Sequence, residues 1–257
     1  RGAMALAVKK DGELWNTVVI WTPLVRSILD ADHPDHKLAL QTFFHELVHV
    51  EDQRIFERTY PGGWQSAAPR DEHDSAMQSI VNPCQSEYSA QRRSAHIAPE
   101  AGIRFMDMLA AAMRDVDDQI VSERRAYRVH GDVERFWDSA VERLRFLFQA
   151  IGYALGHADY IASVADENPE LAQEFARRLD DLSNLPKGWL IDECRDAVQP
   201  FFTLEQWSDM TIYDELEAVL EKLLNQYGVY TSLRDGRLYL DMPFNSFAEL
   251  QSLPVSD

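Results

Sequence analysis

Apolar residues recur at helical spacing along most of the chain, and patterns typical of β-strands occur only toward its two ends. Residues 14–22 are rich in β-branched and aromatic side chains and predict a strand that ends at Pro23. Residues 36–59 carry apolar side chains every three or four positions, which predicts one long helix. Near the other end, Asp235-Gly236 separates two short β-type runs and predicts a hairpin.

The stretch that follows the first long helix, residues 60–83, is polar, contains Gly and Pro and shows little periodicity. It predicts a long connection, which is uncommon unless it forms a lid or a cleft wall. Helical spacing then returns, and we expect helices over residues 86–95, 99–130, 132–166, 169–185, 189–201 and 214–226. The fold class predicted from these elements is α+β, mostly α.

An H-E-x-x-H motif, from His45 to His49, lies in the middle of the predicted helix at 36–59. Two residues four apart on an α-helix lie on nearly the same face, about 6 Å apart along the axis, so both imidazoles can converge on one metal ion. Glu46 lies beside such an ion, where a carboxylate can take a proton from activated water and pass it to a leaving amine. The spacing therefore predicts a hydrolytic metal site with Glu46 as the general base.

This motif resembles that of the zincin metallopeptidases, in which the two histidines bind zinc and the glutamate is the general base. The resemblance covers residues 14–95 and implies bound Zn2+ and a zincin-like active-site helix on a small sheet, here with a large helical C-terminal part. The corresponding expected division is a metallopeptidase core at 5–130 and a helical region with a C-terminal β-hairpin at 131–257, unless both form one continuous domain.

A catalytic zinc ion keeps three protein ligands, so one more is needed. The metzincin branch has a histidine six residues after the second motif histidine, and Ile55 at that position excludes this branch. In the gluzincin branch the third ligand is a glutamate on a later helix, and this resemblance points to Glu87, near the start of the helix predicted at 86–95. The E-x-x-A run from Glu87 to Ala90 is also similar to compact intracellular ImmA/IrrE-like peptidases.

The third ligand has an alternative in His73, which lies within the predicted long connection and resembles the later histidine of the SprT-like branch. The thermolysin pattern has an acidic residue four positions after the third ligand, where this chain has Gln91. Asp52, three residues after His49 on the same helical face, is a candidate to support a motif histidine instead. The choice between Glu87 and His73 stays open at this stage.

Peptide hydrolysis also needs a hydrogen-bond donor for the oxyanion that develops on the substrate. Tyr153 and His157 are candidates, because they lie four residues apart on the otherwise apolar helix predicted at 132–166. Tyr60 and Tyr88 are further candidates. The alternative interpretation of His157 is a hydrogen-bonded core histidine.

The chain of 257 residues has 43 acidic and 25 basic residues, a formal charge of −18 that disfavours binding to nucleic acid or an anionic membrane. No apolar run approaches 18 residues, so no transmembrane span is expected. Two cysteines are too few for a disulfide scaffold. We expect a soluble, cytoplasmic protein, unless a signal peptide has been removed.

The function expected from these features is that of a zinc-dependent metallopeptidase acting on a protein or peptide substrate. The alternative is a non-catalytic protein, either a metal-binding regulator or a helical interaction module in which the motif occurs by chance. The sequence predicts neither the cleavage specificity nor the oligomeric state.

Overall fold

The computed structural model describes residues 2–60, 62–63, 66–203 and 209–244. It is 71% helical with two antiparallel sheets of two strands each, which confirms the predicted α+β, mostly α class. The strands are β1 (Ala3–Lys10), β2 (Glu13–Ile20), β3 (Tyr230–Arg234) and β4 (Arg237–Asp241). The helices are α1 (Thr22–Leu29), α2 (His36–Thr59), α3 (Glu72–Ser94), α4 (Gly102–His130), α5 (Val133–Ser163), α6 (Pro169–Ser183), α7 (Trp189–Val198), α8 (Pro200–Thr203) and α9 (Asp214–Gln226).

The first hairpin joins β1 to β2 through the turn Asp11-Gly12. Both turn residues have a positive φ, 53° and 84°, as a type I′ turn requires. The strand predicted at 14–22 is confirmed as β2. Its predicted end is wrong, because Thr22 already begins α1, with Pro23 in the first helical turn. Strand β1 is an element that the sequence analysis did not predict.

Helix α2 has the bounds predicted for the motif helix, and the first hairpin lies against it. The backbone N–H of Ala5 donates to Oε2 of Glu46 at 2.7 Å, and Lys9 Nζ pairs with Glu57 Oε1 at 2.8 Å. The motif helix therefore lies on a small sheet, and β1 is next to the motif.

The long connection predicted at residues 60–83 is wrong, because its second half belongs to α3, which continues through Pro83. Asp71 caps this helix by accepting a hydrogen bond from the backbone N–H of Asp74 at 2.9 Å. The side chains of Asp74 and Gln78 are both buried, and Gln78 donates to Asp74 at 3.1 Å. Buried polar side chains that hydrogen-bond to each other interrupt the apolar periodicity from which a helix is predicted.

Helix α5 packs against α3 at two glycines. A Cβ atom at Gly152 would lie 2.4 Å from the carbonyl oxygen of Cys84, and one at Gly156 would lie 2.3 Å from that of Tyr88. Only glycine allows two backbones to lie this close. These contacts fix the position of α5 along the part of α3 that carries Glu87.

The remaining helices follow the predicted order with shifted ends, and the helix predicted at 189–201 is divided into α7 and α8. One hydrophobic cluster contains residues from both sides of residue 130, among them Leu109 and Leu144. The division into 5–130 and 131–257 stays a prediction, and its last residues, 245–257, lie outside the described residues.

The second hairpin is confirmed. Strands β3 and β4 flank Asp235-Gly236, whose φ angles of 50° and 77° again form a type I′ turn. Among the described residues, no helix is long and apolar enough to cross a membrane.

Candidate metal centre

The two motif histidines turn their rings toward each other on one face of α2. Nε2 of His45 lies 3.1 Å from Nε2 of His49, with the ring planes at 89°. His45 is buried, and His49 is partly open to the cleft. The i, i+4 spacing thus places two imidazole nitrogens side by side, as the sequence predicted.

Glu87 joins these histidines from α3. Its Oε2 atom lies 2.9 Å from Nε2 of His45 and 3.5 Å from Nε2 of His49. Donor atoms that share one tetrahedral zinc ion at about 2.0–2.2 Å lie about 3.3–3.6 Å apart. The buried Oε2 atom of Glu87 has no hydrogen bond of good geometry, so it faces the two imidazoles as an unsatisfied acceptor. The observed distances of 2.9, 3.1 and 3.5 Å lie at or slightly below this range, so the three donors are compatible with a zinc ion once they move slightly apart.

The charges of these groups favour a cation between them. Burial acts to raise the pKa of Glu87, but the close approach of the two imidazoles, that of His45 above all, outweighs it and holds that pKa far below its usual value. Burial acts to lower the pKa of His49, and the nearby Glu87 carboxylate outweighs it, so the pKa of His49 is raised. A buried carboxylate that stays ionised beside two imidazoles is the donor chemistry that divalent zinc binds.

Packing of α3 against its neighbours places Glu87. The residue lies in the C-terminal half of α3 and not near a helix start as predicted, because the helix begins earlier. Ala90 is fully buried one turn later, which agrees with close packing at this point. From α5, Gln149 donates its side-chain amide to Oε1 of Glu87 at 2.7 Å. Gln149 is a residue that the sequence analysis missed.

Glu46 lies beside the ligand atoms without belonging to them. It is 9% exposed and lines the same cleft. Its Oε2 atom accepts the hydrogen bond from the backbone of Ala5 that joins α2 to β1. The structure therefore places the Glu46 carboxylate in the same cleft as the two histidines and Glu87.

An open cleft of about 540 Å³ lies in front of these residues. Its walls come from β1, α2, α3, α4 and α5. Residues 2–5 form one side, and Phe105, Arg145 and Tyr153 form part of the other. The ring of Tyr153 lies 5.8 Å from that of His45, and its hydroxyl accepts a hydrogen bond from Gln149 at 3.2 Å. The structure therefore brings Tyr153 into the cleft.

His157 lies behind the cleft and does not line it. The residue is 0% exposed, with Nε2 2.7 Å from the carbonyl oxygen of Pro99 and Nδ1 3.4 Å from Oε1 of Gln91. Burial lowers the pKa of His157 to about 4. Since both nitrogens have partners inside the core, this position does not suit a donor to a substrate oxyanion. The alternative interpretation, a hydrogen-bonded core histidine, agrees with the structure.

The other two tyrosines considered as oxyanion donors also have partners elsewhere. The hydroxyl of Tyr88 donates to Asp159 at 2.6 Å, and that of Tyr60 donates to Sδ of Met210 at 3.0 Å. Neither tyrosine lines the cleft. Tyr153 is thus the one of the four candidates that does.

The rival ligand His73 lies at the other end of α3. Its Nε2 atom is 3.0 Å from the hydroxyl of Thr231 on β3 and 3.5 Å from Glu221 on α9. Among the described residues, the groups able to hold a metal are His45 with His49 and Glu87, and a separate acidic group. The structure thus brings Glu87, and not His73, to the motif.

Asp52 and Gln91 both take part in hydrogen bonds between α2 and α3, and within the described part of the chain Asp52 is bonded to Arg93 and not to a motif histidine. Arg93 donates to Asp52 at 3.1 Å, and burial raises the pKa of the Asp52 carboxyl. Gln91 accepts a hydrogen bond from Gln41 at 3.1 Å, and both residues line the cleft. These contacts connect α2 to α3 around the site.

The separate acidic group consists of Asp74, Asp214 and Glu217. Of its two residues on α9, Asp214 is partly exposed, whereas Glu217 is buried with 6% of its surface exposed. The guanidinium of Arg70 already lies there, with Nη2 2.6 Å from Asp74 and 2.7 Å from Asp214. The arginine therefore already supplies a cation to two of the three carboxylates.

Comparisons with protein-family models, with curated proteins and with solved structures found no match for this chain. The function is therefore inferred from the site alone.

Proposed function

We propose that this protein is a zinc-dependent metallopeptidase of the zincin type. His45, His49 and Glu87 hold the ion, and Glu46 is the general base. The observation that carries the proposal is the convergence of three ligand atoms, 2.9–3.5 Å apart, beside a carboxylate that is not a ligand and that lines the cleft.

When bound there, Zn2+ supplies a Lewis acid that polarises the scissile carbonyl and acidifies water. Glu46 accepts the proton of the attacking water and passes it to the leaving amine. The hydrogen bond from Ala5 holds Oε2 of Glu46, so the carboxylate is oriented before the substrate arrives. This orientation leaves Oε1 as the atom that takes the proton.

Tyr153 is our candidate for the donor to the substrate carbonyl oxygen. Its ring lies beside His45, and its hydroxyl oxygen accepts a hydrogen bond from Gln149. A phenol hydroxyl is both an acceptor and a donor, so the same group has the chemistry to donate to a carbonyl oxygen. Such a hydrogen bond stabilises negative charge as it develops on the carbonyl oxygen.

The shape of the cleft favours an extended peptide as the substrate. Residues 2–5 of the first hairpin form one wall, and within the described residues β1 pairs with β2 alone. A strand with an unpaired edge can bind an extended segment through main-chain hydrogen bonds.

The test is the Glu46→Gln variant, which keeps the shape of the side chain and removes its basicity. Zinc content is measured by elemental analysis, and cleavage of a mixture of unstructured peptides by mass spectrometry. We expect Glu46→Gln to keep one zinc ion per chain and to lose at least about 100-fold in cleavage rate. Glu142→Gln, an exposed change on α5 outside the cleft lining, is the matched control and keeps both the zinc ion and the cleavage rate.

The alternatives give different results. A parent protein that binds zinc and cleaves no peptide is a metal-binding regulatory protein, whereas one that binds no metal is a helical interaction module. Either result would overturn the proposal.

A further inference from the structure

Arg145 is an exposed residue of α5 that forms part of the cleft wall. It lies four residues before Gln149, which in turn lies four residues before Tyr153. Residues at this spacing share a helix face, and each step is about 6 Å along the axis. Arg145 is therefore one helical turn from the glutamine that holds the proposed zinc ligand Glu87.

Arg145 is the only Lys or Arg among the described residues that line the cleft. The two arginines at the end of α3 are engaged elsewhere, since Arg93 pairs with Glu51 and Asp52, and Arg92 donates to the hydroxyl of Tyr88. No carboxylate of the described part of the chain pairs with Arg145. The cleft thus offers one available guanidinium in a protein whose formal charge is −18.

An anion that approaches so acidic a protein is repelled unless a local cation receives it. A guanidinium binds a carboxylate by two parallel charge-assisted hydrogen bonds, which makes it selective for that group. An extended peptide advances about 3.3 Å per residue, so a cation in the wall of the same cleft faces positions within a few residues of the reacting bond.

We propose that Arg145 binds a carboxylate of the substrate and selects peptides that carry one close to the scissile bond. This inference rests on the proposed function. The carboxylate belongs either to an Asp or Glu side chain or to the C-terminal end of the peptide, and the two sources share the same chemistry at Arg145.

The first experiment measures binding and needs no cleavage. The guanidinium Nε–Hε signal of Arg145, assigned by its loss in Arg145→Lys, is followed by NMR in the zinc-loaded Glu46→Gln protein. Three tripeptides with blocked N-termini are titrated. The first has a central Glu and an amidated C-terminus, and the second has a central Gln and an amidated C-terminus. The third has a central Gln and a free C-terminal carboxylate. We expect the signal to shift with one or both acidic peptides and not with the neutral one.

The pattern identifies the source of the carboxylate, because the first peptide reports a side chain and the third reports the chain end. An equal shift with the neutral peptide, or no shift with any of the three, would overturn the proposal. Because the readout is the arginine itself, a protein that cleaves no peptide still gives a decisive answer.

The second experiment measures selectivity of cleavage with peptide pairs that differ only by Glu or Gln, or by acid or amide, near the cleaved bond. We expect the unsubstituted protein to cleave the acidic peptide of each pair about tenfold faster or more. Arg145→Gln loses this preference, and Arg145→Glu favours peptides with Lys at the position that carried the acidic group. Arg143→Gln, also exposed on α5 but outside the cleft lining, keeps the parental preference. An unchanged preference in Arg145→Gln would contradict the proposal.

Discussion

Gln149 donates its side-chain amide to Oε1 of Glu87 at 2.7 Å, so a residue of α5 holds a carboxylate of α3 whose other oxygen faces two imidazoles. A ligand carboxylate that is fixed by an outer hydrogen bond needs no reorientation when the ion binds. This contact makes the zinc affinity depend on how α5 packs against α3.

We predict that Gln149→Ala lowers the affinity for zinc by about 10- to 100-fold, because the carboxylate of Glu87 loses its outer donor. The dissociation constant is measured by competition with a chromophoric chelator. Arg143→Ala on the exposed side of the same helix is the control and leaves the constant unchanged. An unaltered affinity in Gln149→Ala would show that Glu87 is held by other means.

We predict that Glu87→Ala loses zinc, with a fall in affinity of more than about 100-fold, because it removes a ligand atom and not an outer partner. His73→Ala is the matched variant on the same helix and keeps its zinc, since that histidine contacts Thr231 and Glu221 instead. Elemental analysis of both proteins after dialysis decides between the two candidates. Retention of zinc in Glu87→Ala together with loss in His73→Ala would reverse our assignment.

The motif helix and the convergence of its two histidines were predictable because both rest on local spacing. The i, i+4 histidines need only a helix to converge, and apolar periodicity predicted the bounds of α2. The second hairpin was predictable for the same reason, since Asp235-Gly236 specifies a tight turn. The first hairpin carries the same signal in Asp11-Gly12, but β1 alternates small and large apolar residues and was overlooked.

The parts that could not be predicted depend on tertiary contacts. The sequence of the first half of α3 is typical of a polar connection, because positions that face the core carry Asp74 and Gln78, which are buried and hydrogen-bonded to each other. Gln149 and Arg145 have no motif, and they reach the cleft only because α5 packs closely against α3 at Gly152. A sequence pattern does not contain that relationship between two distant segments.

We predict that acid destabilises the protein partly through His157. Burial lowers its pKa to about 4, below the usual 6.5, so the unfolded state binds a proton that the folded state does not. Its contribution to stability is therefore full above pH 6.5 and is lost as the pH falls toward 4, up to about 3 kcal/mol. Urea unfolding at several pH values, with a chelator present, measures the slope of the unfolding free energy against pH.

The comparison that isolates this effect uses two variants. His157→Gln removes the titrating group and flattens the slope between pH 6.5 and 4.5, even where it lowers stability at every pH. His96→Gln, an exposed histidine change, leaves the parental slope in place. The same slope in His157→Gln as in the parent would refute the assignment.

We predict that Gly152→Ala damages both the fold and the metal centre. The added Cβ would lie 2.4 Å from the carbonyl oxygen of Cys84. Because this oxygen belongs to the backbone, it cannot rotate away as a flexible side chain can, so α5 must move away from α3. We expect a loss of about 1–3 kcal/mol in unfolding free energy and a fall in zinc affinity, because the shift draws Gln149 away from Glu87. Ser163→Ala, an exposed change at the end of α5, is the control for both measurements. If Gly152→Ala lowered the unfolding free energy but left the zinc affinity unchanged, the position of Glu87 would not depend on the close approach of α5 to α3.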